Sequence, residues 1–73
     1  MRYTFIIKNL RKNQNLNQSH LARLLNKTQQ GYSKLENEKS GFVAEDIIKL
    51  CEFYNVSANY ILGLTDEYTP LNK

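Results

Sequence analysis

Amide and hydroxyl side chains dominate one stretch of the chain, LNQSHLARLLNKTQQGYSKLE, which has no acidic residue before its last position, Glu36. A carboxamide carries a hydrogen-bond donor and an acceptor side by side, so glutamine can form a bidentate pair with adenine N6 and N7. Lysine favours guanine O6 and N7. These residue types therefore have the chemistry of base reading, provided that one element presents them on one surface.

Apolar residues at helical spacing predict that the chain is all helix. Proline is absent before Pro70, there are only three glycines, and the alternation typical of strands is missing. In a chain of 73 residues we expect one domain with one modest core. The predicted helices cover Tyr3–Asn13, Gln18–Leu25, Gln29–Asn37 and Ala44–Tyr54, and a short fifth helix follows Ser57 and ends at Gly63.

The gap between the second and third predicted helices is short. Asn17 and Thr28 are good N-caps, because their side chains can accept hydrogen bonds from the free amides of a first helical turn. Asn26 stands where a left-handed residue ends a helix, a position that glycine and then asparagine favour. So short a gap forces the two helices to cross steeply, which is the geometry of a helix-turn-helix.

The third predicted helix has two faces. Tyr32 and Leu35 fall on one side and are expected in the core. Within an arc of about 0° to 140° from Gln29, at 100° per residue, the helix carries only polar groups and no acid. An ordinary solvated helix usually includes glutamate, so this arc favours base reading over a plain surface. It consists of Gln29, Gln30, Ser33, Lys34 and Asn37.

Nearly the whole chain resembles the Cro and phage-repressor type of helix-turn-helix protein, the XRE family. The resemblance is carried, in order, by Leu16-x-Gln18-x-x-Leu21-Ala22, by Thr28-Gln29-x-x-Tyr32-Ser33-x-Leu35-Glu36-Asn37, by Ile47-x-x-Leu50-Cys51 and by Asn55-Val56-Ser57-x-x-Tyr60-Ile61-Leu62-Gly63. The run Leu16-Asn17-Gln18 with Thr28-Gln29-Gln30 is closest to the lambdoid phage repressors, which read operators with glutamines.

The resemblance implies a fold and a division of the chain. We expect an all-α, compact five-helix bundle of the lambda-repressor-like DNA-binding type, with the helix-turn-helix formed by helices 2 and 3. Residues 1–64 would be the helix-turn-helix DNA-binding domain. Residues 65–73 would be a polar C-terminal tail, which we expect to be frayed.

The resemblance also assigns roles to individual positions. It implies an ion pair between Arg11 and Glu36 that ties the first helix to the end of the third. Gln18 would contact a phosphate and brace Gln29. The base-contacting positions would be Gln29, Gln30, Lys34 and Ser33. The phosphate-contacting positions would be Asn17, Gln18, Lys27, Thr28, Asn37 and Lys39.

Lys27 and Gly31 are among the residues that depart from the family pattern. Lys27 stands where an aliphatic residue usually packs; its stem could cover the turn while its ammonium reaches a phosphate. Gly31 lies inside the third helix, where it costs up to about 1 kcal/mol relative to alanine. We interpret it as a tolerated weakness rather than as a means of close approach to DNA.

Composition argues against other function classes. The net charge of +3 is compatible with a polyanionic partner. His20 and Cys51 are the only histidine and cysteine, too few for a usual four-ligand zinc site, and Cys51 falls on an apolar stripe. No nucleophile and base form a catalytic pattern. We therefore expect that the protein is not an enzyme and that it binds no cofactor, metal or small-molecule ligand. The short apolar runs predict no membrane span and a cytoplasmic protein.

The expected partner is a double-stranded DNA operator, and we expect a palindrome because members of the family bind as pairs. We expect a homodimer on DNA, with Phe53, Tyr60 and Leu64 as candidate contacts, and Phe5 as a weaker one. The function expected is that of a small transcriptional regulator, in particular a repressor, from a bacterium, a phage or a mobile element. The alternative is a protein-interaction module, such as an antitoxin-like or adaptor subunit, in which DNA contact is secondary.

Overall fold

Five α-helices and no strand make up the part of the chain described by the computed structural model, residues 2–71. The prediction of an all-α helix-turn-helix bundle is confirmed. The fourth helix has the predicted bounds, and the others differ by one or two residues at one end. The helices are α1 (Arg2–Asn13), α2 (Gln18–Leu24), α3 (Gln29–Glu36), α4 (Ala44–Tyr54) and α5 (Ala58–Ile61).

All five helices end in the same way. One or two residues after each helix, one residue has a positive φ, and the next amide donates back to a carbonyl five residues earlier, which satisfies the free carbonyls of the last turn. Only one of these left-handed positions is glycine. The five left-handed residues, with φ between 52° and 80°, are Asn15, Asn26, Glu38, Asn55 and Gly63. Asparagine tolerates this conformation better than other side chains do, so the abundant asparagines mark helix ends.

The starts of α2, α3 and α5 use side-chain caps, and the start of α4 does not. Asn17, Thr28 and Ser57 accept hydrogen bonds from the backbone amides of His20, Gly31 and Tyr60. Val43, which precedes α4, has no side-chain oxygen to offer. Asp46, three residues into α4, accepts instead from the Val43 amide, at 3.1 Å. This contact fixes a helix start that the sequence signals poorly.

The core lies where the four longer helices and α5 meet. The largest fully buried side chains come from all five helices and the turn before α5: Tyr32, Ile7, Leu21, Leu50, Ile61 and Val56. Tyr3 and Ile47 pack against this core and are only half-buried. The Tyr3 ring meets Phe42 edge-on, with centroids 6.3 Å apart, so Phe42 covers that edge of the core.

The segment after α5 differs from the expected frayed tail over residues 65–71. It folds back on the domain, because Thr69 accepts a hydrogen bond from the Ser57 amide at 2.8 Å and Tyr68 meets Tyr60 at a centroid distance of 5.0 Å. Asp66 also accepts from Arg2 at 3.0 Å. Residues 72–73 of the predicted tail, and residue 1 of the predicted domain, lie outside the described residues.

None of the helices in residues 2–71 is long and apolar enough to cross a membrane. The longest, α1, has 12 residues, whereas a span needs about 20.

Candidate nucleic-acid interface

The connection between α2 and α3 is a tight turn built on Asn26. Asn26 has φ of 62°, its amide donates to the Arg23 carbonyl at 3.1 Å, and the Lys27 amide donates to the Ala22 carbonyl at 2.8 Å. This is the Schellman arrangement of a helix end. Thr28 then caps α3 at once. The left-handed residue and the cap together turn the chain sharply enough that only four residues separate the end of α2 from the start of α3.

The outer face of α3 is polar and free of acids. Gln29, Gln30 and Lys34 are exposed, Ser33 is half-buried, and the Asn37 amide after the helix donates to the Ser33 hydroxyl at 3.3 Å. Tyr32 and Leu35 are buried, as the wheel predicted, and the acid of α3, Glu36, is only 5% exposed. The surface that α3 offers to a partner therefore carries amides, one hydroxyl and one cation.

Gly31 lies on the side of α3 that faces the turn. A Cβ there would sit 3.2 Å from the Thr28 hydroxyl, which is tighter than most such contacts, and that hydroxyl accepts from the Gly31 amide at 3.0 Å. The missing side chain thus leaves room for the cap of α3. This contact gives Gly31 a local reason that the sequence alone did not show.

A single carboxylate fixes α3 against the two helices before it. Arg11, on α1, donates from Nε to Glu36 Oε2 at 2.8 Å and from Nη2 to Oε1 at 3.0 Å. Gln18, the first residue of α2, donates to Oε1 at 3.1 Å, and the Tyr32 hydroxyl donates to Oε2 at 2.6 Å. A further Arg11 nitrogen donates to the Leu16 carbonyl at 2.8 Å. We call these four side chains, Arg11, Gln18, Tyr32 and Glu36, the Glu36 cluster.

The Glu36 cluster holds its carboxylate in the charged form. Burial acts to raise the pKa of Glu36, but the hydrogen bonds from Arg11, Tyr32 and Gln18 outweigh it, so the pKa is lowered. The hydrogen bond to Glu36 raises the pKa of Arg11. Burial, with the same carboxylate as neighbour, raises the pKa of Tyr32 well above that of a free tyrosine. Arginine and carboxylate thus stay ionised and the phenol stays protonated.

Asn17, Gln18 and Thr28 already have intramolecular roles. The Asn17 oxygen accepts from the His20 amide at 2.9 Å and from the Ser19 hydroxyl at 2.8 Å. Among the described residues no hydrogen bond joins Gln18 to Gln29, so the expected brace is replaced by the bond from Gln18 to Glu36. The Asn17 and Thr28 caps use only their acceptor oxygens. Their N–H and O–H donors are left for another acceptor, such as a phosphate.

The two lysines that flank α3 differ in their surroundings. Lys39 is exposed in the loop after α3. Lys27, in the turn before α3, is half-buried, and its Nζ lies 3.6 Å from Oδ2 of the buried Asp46. Asp46 is an acid in the first turn of α4. An acid three residues after a helix start is a capping signal, but nothing in the sequence pointed to its contact with Lys27.

The three candidate dimer contacts differ in how far they are available. Leu64 is 73% exposed. Phe53 is partly covered by His20 and Tyr54, with ring centroids 5.9 and 5.0 Å away, and Tyr60 is half-buried against Tyr68. Another apolar group is also exposed near the start of α4 and the end of α5, and it consists of Val43, Ile48 and Leu62. Phe5, the weaker candidate, stands alone on α1 at 62% exposure.

Groups that could do metal or redox chemistry are sparse. In residues 2–71 no three His, Cys, Asp or Glu side chains come together as metal ligands would. His20 packs its ring on Phe53. Cys51 is buried, as expected, and burial raises the pKa of its thiol, which makes it less reactive than an exposed cysteine.

Comparison with known proteins agrees with this geometry. The helix-turn-helix domain family matches residues 6–67, which is most of the chain. No curated protein and no solved structure matches it. The match contains α2, the turn at Asn26 and α3 in the arrangement that gives the family its name. This chain belongs to the helix-turn-helix domain family, a family whose architecture supports DNA binding.

Proposed function

We propose that this chain is a sequence-specific double-stranded DNA-binding protein that acts as a small transcriptional repressor of the Cro and phage-repressor type. The observation that carries the proposal is the outer face of α3. It is exposed, it contains no acid, and it starts directly after the turn. In helix-turn-helix proteins the N-terminal residues of the second helix contact base edges in the major groove. Occupancy of an operator would block RNA polymerase.

Base contacts are assigned to Gln29, Gln30, Ser33 and Lys34. Gln29 and Gln30 can each pair bidentately with adenine, and Lys34 can bind guanine. Their exposure leaves them free to enter a groove. The hydrogen bond from Asn37 to Ser33 at 3.3 Å fixes the Ser33 oxygen as an acceptor and leaves its hydrogen for a base or a water.

Phosphate contacts are assigned to the two helix starts and to the loop after α3. Helix N-termini attract phosphates through their free amides and their dipole. Asn17 and Gln18 begin α2, and Thr28 caps α3. Asn37 and Lys39, both exposed after α3, would hold the backbone on the other side of the groove.

We further propose that the protein binds as a homodimer to an imperfect palindrome. Two α3 helices can read one face of the duplex only if the half-sites lie about 10 bp apart, which is one turn. Phe53, Tyr60 and Leu64 are candidate contacts between the copies, and Leu64 is the most exposed of them. Selection from random duplexes followed by footprinting tests this arrangement. A single unrepeated half-site would contradict it.

The test of base reading compares Gln29→Ala with Lys39→Ala on the selected duplex and on random duplex. Gln29→Ala should cost about 1–3 kcal/mol on the selected site and much less on random DNA, because a bidentate amide–adenine pair is lost. Lys39→Ala should weaken both complexes about equally and lower the slope of log affinity against log salt by about 1.

Two results would reject the proposal. In one, Gln29→Ala weakens selected and random DNA alike. In the other, no salt-dependent DNA binding appears at all. Either result would favour the alternative, a protein-interaction module in which DNA contact is secondary.

A further inference from the structure

One carboxylate joins the turn before α3 to the start of α4. Asp46 Oδ2 accepts from the Val43 amide at 3.1 Å and lies 3.6 Å from Nζ of Lys27, which is the single cation in residues 25–28. The Asp46 side chain is 6% exposed and that of Lys27 is 31% exposed. The same oxygen therefore caps α4 and faces the cation of the turn.

Asp46 needs a cation because a buried carboxylate without one is costly. The Val43 amide supplies a hydrogen bond but no net charge. Within residues 2–71, Lys27 is the one cation at ion-pair distance from Asp46. A phosphate that approached Lys27 would also approach this carboxylate. The exposed Lys39, by contrast, forms no ion pair with a carboxylate of residues 2–71. The two lysines should therefore respond differently to DNA.

We propose that Asp46 withholds Lys27 from the DNA backbone. The Lys27–Asp46 pair ties the turn to α4, and Lys39 serves as a cation that phosphates neutralise. This inference rests on the DNA binding proposed above. It refines the proposed phosphate contacts, because resemblance to the repressor family implies that Lys27 contacts the DNA backbone. Asp46 is then a positioning residue that acts through Lys27 and touches no DNA.

The experiment measures the slope of log affinity against log salt on a random-sequence duplex. The proteins are the wild type, Asp46→Asn, the double variant Lys27→Met with Asp46→Asn, and the control Lys39→Met. Asparagine keeps a carbonyl oxygen for the Val43 amide, so Asp46→Asn removes the charge and retains the cap. Each cation that binds a phosphate contributes about 0.9 to the slope, or about 3.5-fold in affinity between 50 and 200 mM salt.

Asp46→Asn should steepen the slope by about 0.9, because it frees Lys27. The double variant should keep the wild-type slope, and Lys39→Met should flatten it by about 0.9. A double variant flatter than the wild type by that amount would mean that Lys27 binds phosphate despite Asp46. An unchanged slope for Asp46→Asn would mean that no cation was withheld. Either result overturns the inference.

A measurement without DNA separates failure of the pair from failure of the proposed function. Urea unfolding of Lys27→Met, Asp46→Asn and the double variant forms a thermodynamic cycle. Lys27→Met should raise the unfolding equilibrium constant about fivefold in the wild type and much less beside Asp46→Asn, as for a partly exposed ion pair. Additive effects would overturn the pair itself. Coupled effects in a protein that binds no DNA would leave the pair intact and reject the DNA-binding proposal.

Discussion

The Tyr32 hydroxyl donates a hydrogen bond to Glu36 Oε2 at 2.6 Å. The two residues lie one turn apart on α3, and both are buried. This bond adds a donor from α3 itself to those that Glu36 receives from Arg11 on α1 and Gln18 on α2. One carboxylate therefore joins all three helices of the N-terminal half. The direction in which α3 presents Gln29 and Gln30 depends on that junction.

Replacing Tyr32 by Phe should destabilise the fold, whereas replacing Tyr54 by Phe should not. Tyr32→Phe removes a hydrogen bond to a charged group, so the free energy of unfolding should fall by about 2 kcal/mol. The buried Tyr54 hydroxyl has no hydrogen-bond partner among the described residues, which makes it a matched control. Urea unfolding at pH 7 measures both. Equal losses would mean that the Tyr32–Glu36 bond contributes nothing beyond packing.

Removing Arg11 should cost far more than removing an exposed arginine. Arg11→Ala leaves Glu36 buried without its cation, and the free energy of unfolding should fall by about 3 kcal/mol. Arg2→Ala is the control. It breaks the pair with Asp66, whose side chains are 62% and 93% exposed, and such pairs contribute at most about 1 kcal/mol. If both variants unfolded at nearly the same temperature as the wild type, Glu36 would have to be solvated.

Acid should destabilise the protein through Glu36. Its pKa is lowered in the folded state from the ordinary 4.5, so the unfolded chain takes up this proton first as the pH falls. The stabilisation is complete above that ordinary value and is lost as the pH falls through the folded pKa. Glu36→Gln cannot titrate. Urea unfolding between pH 7 and pH 3 should therefore show the wild type and Glu36→Gln converging below about pH 4.5; a constant difference would contradict the shift.

The left-handed conformation of Asn26, on which the turn depends, can be tested by substitution. Its φ of 62° disfavours residues with an ordinary side chain. Asn26→Ala should cost about 1 kcal/mol of unfolding free energy, whereas Asn26→Gly should be neutral or slightly stabilising. The residue is exposed, so neither change removes core packing. Chemical denaturation of both variants decides this, and an alanine variant as stable as the glycine variant would show that the turn has relaxed.

Local signals were enough to predict most of the fold. The caps at Asn17, Thr28 and Ser57 and the left-handed Asn26 each act on neighbouring backbone, so sequence spacing identifies them. The buried face of α3 followed from helical periodicity in the same way. The prediction for residues 65–71 was wrong because their polarity favours fraying. In the structure they are held by contacts of Thr69 with Ser57 and of Tyr68 with Tyr60, which local sequence patterns do not reveal.

The site was only partly predictable, because its polar side chains choose partners in space. The exposed amides of α3 follow from the helical wheel, but the wheel does not show which donors reach Glu36. Tyr32 lies four residues before it, a spacing that brings side chains together on a helix, and this signal was available. The contact of Lys27 with Asp46 spans two helices and depends on how they pack, so no spacing rule predicts it.

The Glu36 cluster also bears on how fast and at what entropic cost the protein could associate with a ligand. Because α3 shares its buried anchor with α1 and α2, it should not open by itself. We expect its central amides to exchange with deuterium only through global unfolding. A surface formed in advance loses little backbone freedom on binding. Encounter rates should then be limited by diffusion and long-range charge attraction, and no coupled folding step should slow them.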